Sequence, residues 1–188
     1  MKKHLIRGFI LIVTCAQLSC SLFFGSVKPI DDKSSAYLIF DLSKLTEWTR
    51  LDSKKDKLQP GESSYNAEDG GSDLAFQSQQ TGAVISLNSV CRNLISPPNK
   101  TDLRKLTREL LLGISNIHSN TEVETKIDGQ PALETTLLGK MNEKNVAIRA
   151  VVLNAGDCTY DLMYVTQPDR FSIDEGDFTR FATSLHIK

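Results

Sequence analysis

An α+β fold, with an antiparallel sheet of about six to seven strands covered by two amphipathic helices, follows from three features of this sequence. Short strand-like segments succeed one another through hairpin turns over residues 74–167, with one interruption. That interruption, residues 101–117, carries apolar side chains every three or four positions, and so does the C-terminal stretch that starts at Ser172. Successive hairpins require antiparallel pairing, and a helix with one apolar stripe must bury it on a sheet face.

Residues 37–40, Tyr-Leu-Ile-Phe, read as a first short strand. Leu45 and Trp48, the only tryptophan, follow and are expected to anchor that strand to the core. Residues 52–73 have no apolar period and are dense in Lys, Ser, Gly, Glu and Asp. They read as a long surface loop, either a functional one or a tolerated insertion.

Two strands, Leu74–Ser78 and residues 83–91, flank the turn Gln79-Gln80-Thr81-Gly82. Ser96-Pro97-Pro98-Asn99 breaks the sheet. Thr101 then caps an expected helix whose Leu103, Leu106, Leu110, Ile114 and Ile117 form one face, with Arg104, Lys105, Arg108 and Glu109 opposite. Residues 122–127 and 131–141 are joined through Asp128-Gly129, a hairpin signal. Residues 142–145 turn into 146–153, and 154–157 into 158–167, where Pro168 ends the sheet. Ser172 and Glu175 have the spacing of a capping box, and Phe178, Phe181, Ala182 and Leu185 give the last helix its apolar face.

The N-terminus has a different character. Lys2, Lys3 and Arg7 precede an almost wholly apolar run over residues 8–16, and Ser19-Cys20-Ser21 follows. This is the layout of a secretory signal peptide, too short to cross a bilayer as a permanent helix of about 20 apolar residues. Around Gln17-Leu18-Ser19-Cys20 it resembles the bacterial lipobox, in which the Cys is lipidated and becomes the new N-terminus. Gln17 and Leu18 depart from that pattern and only Ser19 fits, so ordinary secretion with cleavage near Cys20, or cleavage before Cys15, stays open. Residues 1–19 are thus expected to be a signal peptide, 20–35 a lipidated tether with Gly25 and Pro29, and 36–188 a single domain. Two or three acyl chains such as palmitate suffice for stable anchoring. Ser21 after the Cys favours the outer membrane under enterobacterial sorting, with the domain facing the periplasm.

Once Lys2, Lys3 and Arg7 leave with the signal, 19 basic and 23 acidic side chains remain, a formal balance of −4. That mild, dispersed acidity argues against a nucleic-acid partner, which calls for a clustered basic face. Of the four cysteines, Cys15 leaves with the signal and Cys20 is the lipidation candidate. Cys91 and Cys158 remain in an exported, oxidising setting, where a disulfide is expected. Strand parity agrees: Cys91 shares a face with Ile85, Leu87 and Ser89, and Cys158 with Tyr160, Leu162 and Tyr164, so the two could meet in a core. Two separate buried thiols are the alternative.

Candidate chemistry is sparse. His118 and His186 have no acidic or Cys neighbour at helical ligand spacing, and two Cys with scattered His make no zinc pattern. No nucleophile elbow, phosphate-binding glycine loop or H-E-x-x-H motif occurs, so neither a metal, a cofactor nor an enzymatic activity is expected. Asp174, Glu175 and Asp177 are read as favourable charge at a helix N-terminus, with a cation site as the alternative. Tyr160 and Tyr164 read as packing residues, and Trp48 as an anchor that would otherwise be a contact hot spot.

The opening strand running toward Trp48, Asp128-Gly129-Gln130-Pro131-Ala132 leading into a long strand, and the Phe-rich terminal helix together resemble a known group. They are similar to the superfamily of the photosystem II extrinsic protein PsbP and the yeast nuclear-import factor that binds Ran, over residues 36–187. The resemblance implies a non-enzymatic accessory domain that docks on larger machinery, and it carries over no site residue. The expected role is therefore a membrane-tethered envelope lipoprotein that binds an envelope protein through its sheet edge or the 52–73 loop. A carrier of a small apolar ligand or lipid is the alternative.

Overall fold

The computed structural model describes residues 37–51, 72–91 and 102–188. The expected signal segment, Cys20, the tether, nearly all of the 52–73 loop, the Pro97-Pro98 break and Thr101 lie outside these residues.

The elements, in chain order, are β1 (Tyr37–Leu38), β2 (Trp48–Arg50), β3 (Leu74–Ser78), β4 (Val84–Cys91), α1 (Leu103–Leu110), β5 (Ser115–Ile127), β6 (Gln130–Met141), β7 (Lys144–Ala155), β8 (Cys158–Thr166), α2 (Phe171–Thr183) and β9 (His186–Ile187). Seven strands form one antiparallel sheet in the order β2-β3-β4-β8-β7-β6-β5, and β1 pairs with β9 in a separate two-stranded ribbon. The protein is α+β, as its hairpins and amphipathic stretches predict.

The consecutive hairpins β5 to β8 need no long connection. Asp128 and Gly129 adopt φ of 49° and 75°, the paired positive values that a two-residue hairpin turn demands. Joining β4 to β5 is different, because three strands lie between them in the sheet. The chain must cross a whole sheet face to reach the far edge, and α1 lies on that face, against β6 and β7. The other face belongs to α2. Phe178, Phe181 and Ala182 of the helix, with Leu185 just beyond it, pack on Phe76, Ile85, Leu87, Tyr160, Leu162 and Tyr164, and Leu42 and Trp48 close the end. On the α1 face a smaller cluster joins Leu137, Val146, Ile148 and Val165 beneath Leu111 and Ile114.

Several expectations are corrected. The strand expected at residues 37–40 covers only Tyr37–Leu38 and does not enter the large sheet. Trp48–Arg50 forms that edge instead, pairing with β3. Helix α1 ends at Leu110, not Ile117, because Gly113 at φ 95° diverts the chain and residues 115–127 become strand. The three-to-four spacing of Leu110, Ile114 and Ile117 was therefore coincidental. Gly139 on β6 makes this close passage feasible: a Cβ there would lie 2.8 Å from Ile114 Cγ2 and 3.0 Å from the Ser115 carbonyl. The first helix is capped by Asp102, whose carboxylate accepts from Arg104 N–H at 2.9 Å. The capping box at Ser172 does not form. A 3-10 turn, Pro168–Arg170, leads directly into α2, no side chain caps it, and Glu175 is turned toward Arg149.

Candidate functional site

Cys91 and Cys158 are register partners on β4 and β8 and form a disulfide, with Cα atoms 4.0 Å apart. The parity argument holds, since Cys158 packs against the α2-side core. Its depth does not: the bond lies at the end of the strand pair, with Cys91 exposed and Cys158 half-buried. Strand period reports the face of a residue but not its distance from the sheet end.

The histidines are surface groups. His118 faces the Asn116 carbonyl at 3.0 Å. His186 meets an acid that sequence spacing could not reveal: its Nδ1 is 3.0 Å from Asp128 Oδ1, across 58 residues, while Asp128 Oδ2 accepts Ile187 N–H at 2.8 Å. Both bonds hold the Asp128 carboxyl below its ordinary range, the backbone bond most. The pair latches the C-terminus onto the β5–β6 turn. His186 is exposed.

Each acid of Asp174, Glu175 and Asp177 has its own partner. Asp177 Oδ2 accepts from Trp48 Nε1 at 2.8 Å. Buried Asp174 accepts the Thr81 hydroxyl, and burial raises its carboxyl above the usual range. Glu175 lies 3.3 Å from Arg149. They join α2 to three parts of the sheet, which is a structural task. Among the described residues no group of three or more His, Cys, Asp or Glu could hold a metal ion. Tyr160 and Tyr164 are buried packing residues, as expected, and Trp48 is buried rather than an exposed hot spot.

Two features are unlike the rest of the surface. The first is β5, thirteen residues long and at the edge of the large sheet, with no described strand on its outer side. After a register irregularity between Ser115 and Ser119 it pairs regularly with β6 from Ser119 to Ile127. Nine such residues present roughly 30 Å of outward backbone donors and acceptors. Glu122 and Glu124 share one face, where Arg104 of α1 reaches both at 3.2 and 3.0 Å. On the other face stand Thr121, Val123 and Thr125, with Val123 51% exposed.

The second is a cavity of about 140 Å³ on the α1 side, between the sheet and residues 110–114. Its walls include Leu111, Ile114, Met141, Ile148, Met163 and Val165, and one end is polar with Ser86, Asn88 and Asp161. Burial pushes the Asp161 carboxyl up to about 6, against a hydrogen bond from Asn88 that lowers it. A wider groove of about 510 Å³ between the start of α1 and the β5–β6 hairpin is lined by Asp102, Arg104, Glu124 and Lys126. The cavity has the size of a small ligand rather than of a lipid chain, and the groove adds Leu103, Pro131, Ala132 and Leu133 to its charged residues. Strand period alone does not single out Asp161. An acid between Tyr160 and Leu162, beside Met163, was the available signal.

No protein-family model matches the chain, and no curated protein is significantly similar to it. Solved structures are similar in fold. The solution structure of cyanobacterial PsbP (CyanoP) from Synechocystis matches over 94% of this chain and 99% of that one, at 14% identity and a TM-score of 0.47. LpqN of Mycobacterium tuberculosis, described as involved in cell envelope biogenesis, matches over 76% and 79%, at 13% identity and 0.46. A Pseudomonas aeruginosa protein of unknown function matches over 82% and 99%, at 12% identity and 0.41. None of these likenesses assigns a residue or an activity to this chain.

Proposed function

We propose that this protein is a non-enzymatic accessory protein of the bacterial cell envelope, lipidated at Cys20, that binds an extended segment of an envelope protein along β5. The outward edge of β5 is the observation that carries the reading. An added strand gains main-chain hydrogen bonds along such an edge, and its alternate side chains meet those of the host strand. Soluble proteins ordinarily guard an edge of this length with unbalanced charge, a bulge or a cover. Here the irregularity is confined to the first residues, and Arg104 balances the two glutamates. From Ser119 to Ile127 the edge stays regular and close to neutral. The domain would face the periplasm from the membrane that its lipid selects, the outer membrane being favoured by Ser21.

A photo-crosslinking residue at Thr121 of the full-length protein in cells tests the binding edge, with the same residue at Lys105 on exposed α1 as control. One envelope protein joined at 121, not at 105, and lost on adding Val123→Lys is the expected result. Equal adducts at both positions, or none at 121, would overturn it. The anchor is tested separately. Cys20→Ala should abolish the acyl mass shift and release the protein from the membrane fraction; unchanged fractionation with no acyl mass in the wild type refutes lipidation.

A further inference from the structure

Asp161 is the least expected side chain in the sheet. On β8, Tyr160, Leu162 and Tyr164 face α2, while Asp161, Met163 and Val165 face the α1 side. β8 is the middle strand of the seven, and the register partners of Asp161 are Asn88 on β4 and Val152 on β7. Asn88 supplies a hydrogen bond, and no ion pair of Asp161 occurs among the described residues. A carboxylate drawn out of water without a counter-ion opposes folding. An apolar residue, or a neutral amide, would serve the sheet better at this position. A group kept against the interest of the fold, at the wall of a cavity, is a candidate ligand contact.

The cavity states what the ligand must be. Its volume of about 140 Å³ is close to the roughly 150 Å³ that accommodates a benzene ring in an apolar protein cavity. Two of its walls are the thioethers of Met141 and Met163, which adapt in shape and make favourable contacts with aromatic rings. Leu112, which also lines it, is 75% exposed. At the polar end stand a carboxylate and the hydroxyl of buried Ser86, both able to accept hydrogen bonds. An ammonium group has three donors and no acceptor, and it supplies the opposite charge that Asp161 does not find among the described residues.

We propose that this cavity binds a small arylalkylammonium ion, its ring between Met141 and Met163 and its ammonium on Asp161 and Ser86. Asn88 then acts as a positioning residue, holding the carboxylate toward the cavity. The site lies on the sheet face under α1 and is independent of partner binding along β5, so either can fail alone.

Calorimetric titration of the full-length protein with benzylammonium at neutral pH tests the proposal, with amide chemical-shift mapping to locate the site. Benzyl alcohol, of similar size and without charge, is the control ligand. Saturable one-site binding is expected, with shifts concentrated on β8 and residues 110–114, and benzyl alcohol at least about tenfold weaker. Asp161→Asn keeps the shape and the Asn88 contact and should weaken benzylammonium at least about tenfold while leaving benzyl alcohol within about twofold. Met163→Phe fills the cavity and should weaken both ligands. No saturable binding of benzylammonium up to about 10 mM, equal binding by Asp161→Asn, or shifts mapping elsewhere would each overturn the assignment.

Discussion

The indole Nε1 of Trp48 donates to Asp177 Oδ2 at 2.8 Å, so the three-residue strand at one edge of the large sheet is tied to the helix that covers its core. A strand this short has few ladder hydrogen bonds of its own and depends on side chains for its place. Asp177→Ala leaves the indole N–H without that partner and should cost about 1–2 kcal/mol. Urea unfolding followed by Trp48 fluorescence measures it, and an unchanged midpoint would show that the bond contributes nothing.

Asp161 should make stability fall as pH rises. Its carboxyl is raised to about 6 in the folded protein by burial, from 3.8. Between those values the folded state holds a proton that the unfolded chain has released, so the native state loses its advantage as pH climbs through 6. The shift corresponds to at most about 3 kcal/mol, an upper bound because the group is only half-buried. Asp161→Asn should remove this slope and be the more stable protein at pH 8. Denaturation of both proteins from pH 4 to pH 8 decides the point, and parallel curves count against it.

Arg149 pairs more tightly within the sheet, with Glu134 of β6, than with Glu175 of α2. It meets Glu134 Oε1 through Nε at 3.0 Å and Nη2 at 2.9 Å, reaches Glu175 at 3.3 Å and lies over the Phe178 ring at 5.6 Å. The Arg149 side chain is 16% exposed and that of Glu134 25%, whereas that of Glu175 is 44% exposed and screened by water. Arg149→Ala should cost about 2–3 kcal/mol, because it strips a partly buried pair and a cation–π contact together. Glu175→Gln should cost under about 0.5 kcal/mol, as exposed pairs do. Glu134→Gln should fall between them, and the reverse order in thermal unfolding would refute the ranking.

The Cys91–Cys158 bond spans a sequence separation of 67 residues. Restricting that loop in the unfolded chain stabilises the protein by about 4 kcal/mol on chain-entropy reasoning. Because Cys91 is exposed, opening the bond leaves no apolar cavity to add to the loss. The double variant Cys91→Ser, Cys158→Ser should therefore match the reduced wild type in its denaturation midpoint. A double variant as stable as the oxidised protein would contradict the prediction.

Much of the fold was legible from residue order. Asp128-Gly129 demanded a two-residue turn, and the alternating apolar positions that follow could only be strands with one face inward. The Phe178, Phe181, Ala182 and Leu185 stripe, spaced for a helix, could only cover such a face. Local signals misled where one spacing served two structures. Leu110, Ile114 and Ile117 suit a helix on paper, but Gly113 turns the chain and the long ladder with β6 holds residues 115–127 as strand.

The sequence by itself determined the α+β class, the meander, the pairing potential of Cys91 with Cys158 and the face on which each packs, because these depend on period, turn chemistry and parity over a few residues. Tertiary structure alone decided which strands end the large sheet among the described residues, that Trp48–Arg50 rather than residues 37–40 extends it, and that Asp128 receives His186. It also decided that Asp161 ends at the wall of a cavity with two methionines. Each of those outcomes depends on groups far apart in the chain being brought within ångströms of one another. Nothing in local residue order carries that distance; only the closure of the whole sheet under its two helices does.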